Sequence, residues 1–343
     1  DSSNLNDLTF LTGKKLTLLS AENTGVSNLA PLKGMPIKRL NLSKTTLTDL
    51  AVLENFPLEE LRLNESILLK LPALNNMSDL ASVWLRSSAI EDFSILDNRH
   101  FRVLDLANSQ IKSLNSFKEC TILHLDISGT AITDLSPLKG KSIEFLNLDD
   151  TKITDLSPLT ECQLDKLSIS RIPAVDFSPL AKINLRELYA RDLNINNADF
   201  INKTSIHQLD LSSSNVSDIS FLKDSEIYYL NLSRTKVKNL EALSNCNNLK
   251  ILDLYGTQIN SLEHIQNLKL KQLVIGECDN LKNIFPVKKI KTLSKLIFPA
   301  NVKRFDFLRG LENLQILGTT TAHHGQAVEI FWKKYDQKVK DEQ

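Results

Sequence analysis

The chain has 343 residues, and its 41 Lys and Arg residues balance its 41 Asp and Glu residues. A single hydrophobic core rarely grows to this size, so the length favours two domains or an array of repeats. Zero net charge argues against a nucleic-acid partner, which usually needs a basic face. The chain also contains no run of about 18 apolar residues, the length that a membrane-spanning helix requires.

A short apolar pattern repeats along almost the whole chain. Each copy contains a strand-like pair of apolar residues separated by one position, and the copies recur at a mean spacing of about 21 residues. Most of the intervals are 21 residues long. The leading residues of the pairs are Leu19, Leu40, Leu61, Val83, Leu104, Leu125, Leu146, Leu167, Leu188, Leu209, Leu230, Leu252, Leu273, Leu296 and Leu317. Such regularity predicts a solenoid of stacked repeats.

The N-terminal end departs from this pattern. Leu5, Leu8 and Leu11 match the last three apolar places of a repeat, so the strand of that repeat would lie before residue 1. We interpret this as a chain that begins inside a repeat of a longer parent protein. A degenerate N-terminal cap is the alternative.

The clearest repeat lies between residues 143 and 159. Leu146 and Leu148 alternate with polar residues, which predicts a short strand with one buried face. Two further leucines, three positions apart, suit a single 3₁₀ turn. Asp155 precedes that turn and can accept hydrogen bonds from its free N–H groups, and Pro158 fits inside it because its N–H would be unpaired anyway. Each repeat is therefore expected to be a strand followed by a tight turn.

The period stops after Leu317. Apolar residues then recur at helical spacing, at Val328, Phe331, Trp332, Tyr335 and Val339. The expected role of this helix is to cover the last exposed edge of the core, and a partner-binding helix is the alternative. We therefore divide the chain into a repeat solenoid over residues 1–318 and a C-terminal cap over residues 319–343.

The repeat resembles a known family. The segments Asp134-Leu135-Ser136-Pro137-Leu138 and Asp155-Leu156-Ser157-Pro158-Leu159 are similar to bacterial internalin-type leucine-rich repeats, and to the repeat regions attached to bacterial serine/threonine kinases. The ending Phe331-Trp332-Lys333-Lys334-Tyr335-Asp336 resembles the closing segment of the second group. The resemblance implies an α/β solenoid, a leucine-rich-repeat horseshoe with a concave parallel sheet, 3₁₀ turns on the other side and a C-terminal capping helix.

One place in the repeat departs from the family pattern. Where the family usually carries Asn, this chain carries a hydroxyl residue, at Thr24, Thr45, Ser66, Ser88, Ser109, Thr130, Thr151, Ser214, Thr235 and Thr257. Hydroxyls can still satisfy buried backbone groups. Ile172, Leu193 and Cys278 cannot do so in the same way, and Asn301 follows a shifted spacing. We therefore expect local irregularity in repeats eight, nine, thirteen and fourteen.

The sequence contains little that points to catalysis. It has no phosphate-binding loop, no zinc-protease helix and no kinase catalytic loop. Ser136 and Lys139 have the spacing of a Ser–Lys pair, but the serine recurs at Ser157 in the same turn and is better explained by the repeat. His323 and His324 have no third metal ligand nearby. We expect no enzyme activity, no cofactor and no metal.

The four cysteines are spaced unfavourably for disulfides. Cys120 and Cys162 lie two repeats apart, about 10 Å across a sheet, which exceeds the reach of a disulfide. Cys246 and Cys278 fall at opposite ends of neighbouring strands. We interpret all four as small buried thiols, and they do not decide the compartment.

Partner binding is expected on the concave side of the sheet, where the non-core strand residues project. Trp and Arg are enriched in interface hot spots. The strand positions that they occupy here do not belong to the core of the repeat. The candidate contact residues are Arg62, Trp84, Arg86, Asp105, Asp126, Phe145, Tyr189, Arg191, Tyr229, Arg234 and Tyr255. Alternatively, these aromatics simply pack flat on the sheet beneath stacked arginines.

We therefore predict a monomeric module that binds a protein or peptide, as a sensing or docking region of a larger bacterial receptor or kinase-linked protein. A glycan-binding or adhesion module at the cell surface is the alternative, because aromatic platforms beside Asp and Asn also suit sugars. An extracytoplasmic or cell-surface location is favoured, and neither nucleic-acid binding nor a transmembrane segment is expected.

Overall fold

The structure is a computed structural model that describes residues 5–71, 77–196, 198–203, 206–319 and 325–341. It divides into two compact units, Asp1–Ile183 and Asn184–Gln343. Within the described residues, no helix is both long and apolar enough to cross a lipid bilayer.

The first unit is a parallel sheet whose strands lie in chain order. Its strands are Leu18–Ser20 (β1), Arg39–Asn41 (β2), Glu60–Arg62 (β3), Ser82–Trp84 (β4), His100–Asp105 (β5), Thr121–Asp126 (β6), Ser142–Asn147 (β7) and Gln163–Ser168 (β8). Its 3₁₀ turns are Thr9–Leu11, Ala30–Leu32, Ala51–Asn55, Ser94–Leu96, Asn115–Phe117, Ser136–Leu138, Ser157–Glu161 and Ser178–Lys182.

The second unit repeats the same arrangement and ends in a helix. Its strands are Glu187–Tyr189 (β9), Gln208–Asp210 (β10), Tyr229–Asn231 (β11), Ile251–Asp253 (β12), Gln272–Val274 (β13), Lys295–Phe298 (β14), Ile316–Thr319 (β15) and Gln326–Ala327 (β16). The 3₁₀ turns are Asp199–Lys203, Ser220–Leu222, Glu241–Leu243, Glu263–Ile265, Phe285–Lys289 and Asp306–Gly310, and the helix α1 is Val328–Asp341. Strands β9 to β15 are parallel, and β16 pairs antiparallel with β15.

The leading residue of each repeat sets the register of the sheet. Leu19 pairs with Leu40, and Leu125 pairs with Leu146, so equivalent repeat positions lie side by side. Leu146 is fully buried, whereas the next residue, Asn147, is half-buried on the opposite face. We call that opposite face of the strands the open face of the sheet. The predicted alternation of buried and open positions is confirmed.

Polar side chains cap the 3₁₀ turns as predicted. The carboxylate of Asp155 accepts a hydrogen bond from the N–H of Ser157 at 2.7 Å. The same bond is made two positions before each of the other capped turns, by Asp7, Asn28, Asp49, Asp92, Ser113, Asp134, Asp176, Asp218, Asn239, Ser261 and Asn283. The turn Asp306–Gly310 carries Arg304 in that place.

The threonines at the hydroxyl place satisfy buried carbonyls within their own repeats. The Oγ1 of Thr151 donates to the carbonyl of Leu148, three residues earlier, at 2.7 Å. Thr24, Thr45, Thr130, Thr235 and Thr257 do the same. The expectation that hydroxyls satisfy buried backbone groups is therefore confirmed for these threonines. It is not met by Ser88, Ser109 and Ser214, whose buried Oγ atoms have no hydrogen-bond partner within the described residues.

The expected irregularity appears in the turn that follows the strand of repeat fourteen. The equivalent turns of repeats eight, nine and thirteen are regular. Those three keep a left-handed residue directly before the hydroxyl place, at Arg171 (φ 59°), Asp192 (φ 53°) and Glu277 (φ 53°). The backbone conformation of this turn, and not the side chain that follows, preserves the repeat. Ala300, the equivalent residue of repeat fourteen, does not have a left-handed backbone conformation.

Cys278 also corrects the expectation drawn from its side chain. Its Sγ donates to the carbonyl of Leu254 in the preceding repeat at 3.0 Å. A thiol at this place therefore does satisfy a buried backbone group. All four cysteines are free and buried, as predicted.

The helix α1 covers the end of the second unit. Phe331 and Trp332 are buried, and the Trp332 ring stacks on Phe305 with centroids 5.9 Å apart. The guanidinium carbon of Arg309 lies 3.8 Å from the centroid of Trp332, and Arg309 also forms an ion pair with Asp336. This contact confirms the predicted C-terminal capping helix.

Candidate functional site

Two groups of candidate residues lie on the open face, one in each unit. In the first unit, Arg62, Trp84, Asp105 and Asp126 are consecutive cross-strand partners from β3 to β6. Strands in a sheet are about 4.8 Å apart, so the repeat period alone brings these side chains together. We call this group, with Arg86, the Trp84 patch.

An arginine is stacked on the tryptophan at the centre of this patch. The guanidinium carbon of Arg62 lies 4.1 Å from the centroid of the Trp84 ring, within the range of a cation–π interaction. Arg62 is exposed and Trp84 is half-buried. The arrangement is consistent with both interpretations of the sequence, because a stacked arginine can stabilise the ring and also present a charged, planar surface to a partner.

Arg86 connects the two acidic members of the patch. Its Nη2 lies 3.1 Å from Oδ2 of Asp105 and 3.0 Å from Oδ2 of Asp126. Burial opposes the charge of the Arg86 guanidinium, but the two carboxylates outweigh burial and raise its pKa. The acidic residues and the arginine thus form one ion-pair network.

Asp105 is the most buried charged group in the patch. Burial raises the pKa of its carboxyl group, and the hydrogen bonds from the Ala107 N–H and from Arg86 offset only part of that effect. The neighbouring charge of Asp126 adds to the rise. The Ala107 N–H and the Arg86 guanidinium are thus the two groups that favour the ionised form of this carboxyl.

Phe145 does not join the Trp84 patch. It lies on β7, three strands from Trp84, where it contacts the ring of His124 edge-on with centroids 6.5 Å apart. His124 Nε2 is 3.2 Å from a carboxylate oxygen of Glu144. Phe145 is therefore a separate half-buried aromatic on the same open face.

The second unit contains a similar ionic arrangement around Asp210. The Nε of Arg191 donates to Oδ2 of this carboxylate at 2.7 Å, and Nδ2 of Asn231 donates to the same oxygen at 3.1 Å. Arg191 also lies 5.7 Å from the ring centroid of Tyr189. Asp210 is almost completely buried. We call these residues, with Tyr229, the Tyr189 patch.

Both tyrosines of this patch are held in the neutral form. Burial, followed by the hydrogen bond to Glu187, raises the pKa of Tyr189 to about 12. Burial, followed by the negative charges of Asp210 and Asp253, also raises the pKa of Tyr229. The two rings therefore present hydroxyl groups and not phenolates.

Asp210 is not among the contact residues predicted above, although the sequence contains a signal for it. Arg86 and Asp105 are 19 residues apart, and so are Arg191 and Asp210. In a repeat of about 21 residues, the aspartate pairs with the residue two positions before the arginine on the neighbouring strand. A spacing of 19 residues therefore brings the two side chains close together. An arginine followed by Asp after 19 residues predicts an ion pair across neighbouring strands.

Tyr255 is buried, although the sequence predicts a contact residue at this position. Its side chain is only 3% exposed, because it packs with Val274 and Ile297 in a small apolar cluster on the open face. Gly276 leaves room for its ring, since a Cβ there would lie 3.1 Å from Cδ2 of Tyr255. The guanidinium of Arg234 is exposed 5.8 Å from the ring centroid. We therefore correct the prediction for Tyr255, which is a packing residue.

The structure also places the residues considered for other chemistry. The Ser136 hydroxyl donates to Asp134 at 2.7 Å, and Ser157 bonds Asp155 in the same way, so these serines belong to the turn caps. Among the described residues, no group of three His, Cys, Asp or Glu side chains could hold a metal ion. His323 and His324 lie outside the described residues.

Comparison with known proteins shows which fold this is. No family model and no curated protein matches the chain. An internalin from Listeria monocytogenes matches with a TM-score of 0.65 and 19% identity, over 90% of this chain and 88% of that one. A leucine-rich-repeat protein of Leptospira interrogans matches with a TM-score of 0.52 and 19% identity, over 90% and 83% of the two chains.

A plant receptor is similar as well. The leucine-rich-repeat ectodomain of a membrane receptor kinase from Arabidopsis thaliana, in complex with Casparian strip integrity factor 2, matches with a TM-score of 0.52 and 18% identity. The match covers 92% of this chain and 52% of the receptor chain. The strand register, the capped 3₁₀ turns and these similarities agree: the chain is a leucine-rich-repeat solenoid with the fold of the bacterial internalins.

Proposed function

We propose that this chain is a non-catalytic interaction module that binds a protein or peptide through the open face of its sheet, centred on the Trp84 patch. The observation that carries the proposal is the half-buried Trp84 ring with the exposed guanidinium of Arg62 above it. Large aromatic and arginine side chains at the centre of a surface are the residue types that dominate interface energies.

The surroundings of Trp84 support this assignment. Arg86, Asp105 and Asp126 hold one another in fixed positions, so a partner would meet ordered charges at a low entropic cost. The similar plant receptor ectodomain was solved with a bound factor, which supports a binding role for a chain of this fold. A sensing or docking role in a larger receptor or kinase-linked protein is compatible with that role.

The test is selection of binding partners on the intact chain, followed by comparison of variants. Trp84→Ala should weaken binding of a selected partner by about 2 kcal/mol or more, as for a hot-spot residue. Tyr228→Ala is the matched control, because Tyr228 is an exposed aromatic of the other unit outside both patches. Equal affinity of the Trp84→Ala variant and the unaltered chain would contradict the proposal.

Glycan binding is the second candidate, and the Tyr189 patch favours it. The half-buried rings of Tyr189 and Tyr229 offer stacking surfaces, and the exposed Arg191 and half-buried Asn231 offer hydrogen-bonding groups beside them. A glycan array separates the two functions. Binding of a defined sugar that is lost in Tyr189→Ala but kept in Trp84→Ala would favour the glycan function.

A further inference from the structure

A second surface, distinct from both patches, lies between the last two 3₁₀ turns of the second unit. Here the turns Phe285–Lys289 and Asp306–Gly310 border a groove of about 900 Å³. Its lining includes Lys282, Asn283, Phe285, Lys303, Arg304 and Phe307. We call it the terminal groove.

An aromatic pair is exposed in the terminal groove. The rings of Phe285 and Phe307 meet edge-to-face with centroids 5.2 Å apart. Phe285 is 55% exposed, although the turn position that it occupies is polar or small in many other repeats, as at Ser220. An exposed aromatic pair within a groove offers an apolar contact for a ligand side chain.

The sequence around this groove is strongly basic. Between Asp279 and Asp306 the chain has seven Lys and Arg residues and no Asp or Glu, although the whole chain is neutral. Lys282, Lys303 and Arg304 line the groove, and within the described part of the chain none of these three forms an ion pair with a carboxylate. The Lys282 ammonium donates to the carbonyl of Asp279 at 2.6 Å, so its charge is compensated only by a backbone dipole. The positive charge of the groove is thus available to a ligand.

Arg304 stands where the other turns have a capping residue. In the neighbouring turn, Asn283 accepts a hydrogen bond from the N–H of Phe285 at 2.9 Å. A guanidinium has no acceptor, so Arg304 cannot make the equivalent bond to Asp306. The turn therefore lacks the stabilisation that such a cap provides, and the residue instead adds a positive charge to the groove.

An earlier groove at the same place in the repeat lacks these features. It lies between the turns Ser220–Leu222 and Glu241–Leu243, with a volume of about 290 Å³. Its lining contains Asp218 and Asn239 as caps, together with Lys223, and no aromatic residue. The basic, aromatic character of the terminal groove is therefore not a general property of the repeat.

We propose that the terminal groove binds an acidic peptide segment that carries an apolar side chain. The apolar side chain would contact Phe285 and Phe307, and flanking carboxylates would pair with Lys282, Lys303 and Arg304. The aromatic rings line a concave surface, which suits an extended segment better than a flat membrane. Asp306 at the edge of the groove opposes the dense negative charge of a nucleic-acid backbone.

The test uses the full chain and a labelled peptide of alternating glutamate and leucine, with binding followed by fluorescence anisotropy at low salt. A glutamine–leucine peptide and a glutamate–glycine peptide test the charge and the apolar contact separately. Phe285→Ser and Arg304→Asp alter the groove, and Lys223→Glu in the earlier groove is the matched control. Urea unfolding of each variant verifies that it is folded.

The glutamate–leucine peptide should bind, and both groove variants should weaken binding by about tenfold or more, as expected for central contact residues. Lys223→Glu should leave the affinity unchanged, and the two other peptides should bind more weakly. No binding of the glutamate–leucine peptide, or equal binding by Arg304→Asp, overturns the proposal. Tighter binding to phosphatidylserine vesicles or to oligothymidylate, lost in the same variants, overturns it in favour of a membrane or a nucleic acid. Because the Trp84 patch lies in the other unit, the Trp84→Ala variant should bind this peptide normally.

Discussion

Arg62 and Trp84 are direct cross-strand partners in β3 and β4, and the guanidinium carbon of Arg62 lies 4.1 Å from the centroid of the Trp84 ring. Their side chains lie on the open face, while Leu61 and Val83 beside them are fully buried. One register thus determines both the core and the surface. Changes to the surface pair should therefore leave the core intact.

The first prediction concerns stability at this pair. Trp84→Ala should change the free energy of unfolding by no more than about 1 kcal/mol, because the ring fills no core place. Leu85→Ala, one residue along the chain at a fully buried position, should cost about 2–5 kcal/mol. Urea unfolding of the two variants makes the comparison, and similar losses in both would show that Trp84 is structural.

The second prediction concerns the pH dependence of stability at Asp105. Burial raises the pKa of its carboxyl group above the ordinary value of 3.8, so the folded state holds the proton more tightly than the unfolded state. This group's contribution to stability is therefore greatest below pH 3.8 and decreases as the pH rises through the raised pKa.

Asp105→Asn should remove that decrease, and unfolding in urea from acidic to neutral pH measures it. Asparagine is tolerated at this place, since Asn147 in a later repeat accepts the equivalent backbone bond, from Asp149, at 3.0 Å. The same pH dependence in the variant and the unaltered chain, or an Asp105 carboxyl that titrates below 3.8 by NMR, would disprove the assignment.

The third prediction follows from the missing cap at Arg304. Arg304→Asp should raise the free energy of unfolding by about 0.5–2 kcal/mol, because the new carboxylate can accept the free N–H of Asp306. Asp155→Ala should change stability by a similar amount in the opposite direction, since it removes an existing cap. Unfolding midpoints of both variants provide the measurement, and a loss of stability in Arg304→Asp would mean that the arginine has a structural role.

The fourth prediction concerns the glycine beneath Tyr255. A Cβ at Gly276 would lie 3.1 and 3.2 Å from two ring carbons of Tyr255, so Gly276→Ala should destabilise the fold by about 1–3 kcal/mol. Gly310→Ala is the control, because a Cβ there meets nothing within 4 Å. Thermal unfolding should separate the two variants, and equal midpoints would show that the apolar cluster adjusts freely.

The period of the leucines made the strands, their register and the turn caps predictable. Each strand needs only one buried pair such as Leu146 and Leu148, and each turn needs only an acceptor such as Asp155, so local sequence is sufficient. The pairing of the β16 residues with β15 was not predicted, because a two-residue strand, Gln326–Ala327, has no apolar periodicity of its own.

The candidate surface was only partly predictable. The positions of Trp84 and Arg62 followed from the register alone. The burial of Tyr255 did not, because it depends on three neighbouring repeats at once: a glycine that leaves space and two apolar residues, Val274 and Ile297, that fill it. The partners of Arg86 likewise depend on which carboxylates its flexible side chain can reach.

The hydroxyl place in the repeat has a consequence for how such a chain can change in length. The bond from Thr151 to Leu148, like the other threonine bonds, begins and ends within one repeat. Deleting or duplicating a whole repeat therefore leaves no threonine hydroxyl without its acceptor at the junction. The four thiols behave differently, because each donates to a carbonyl of the preceding repeat, as Cys278 does to Leu254. Gain and loss of copies should thus be easier at boundaries that no cysteine thiol bridges.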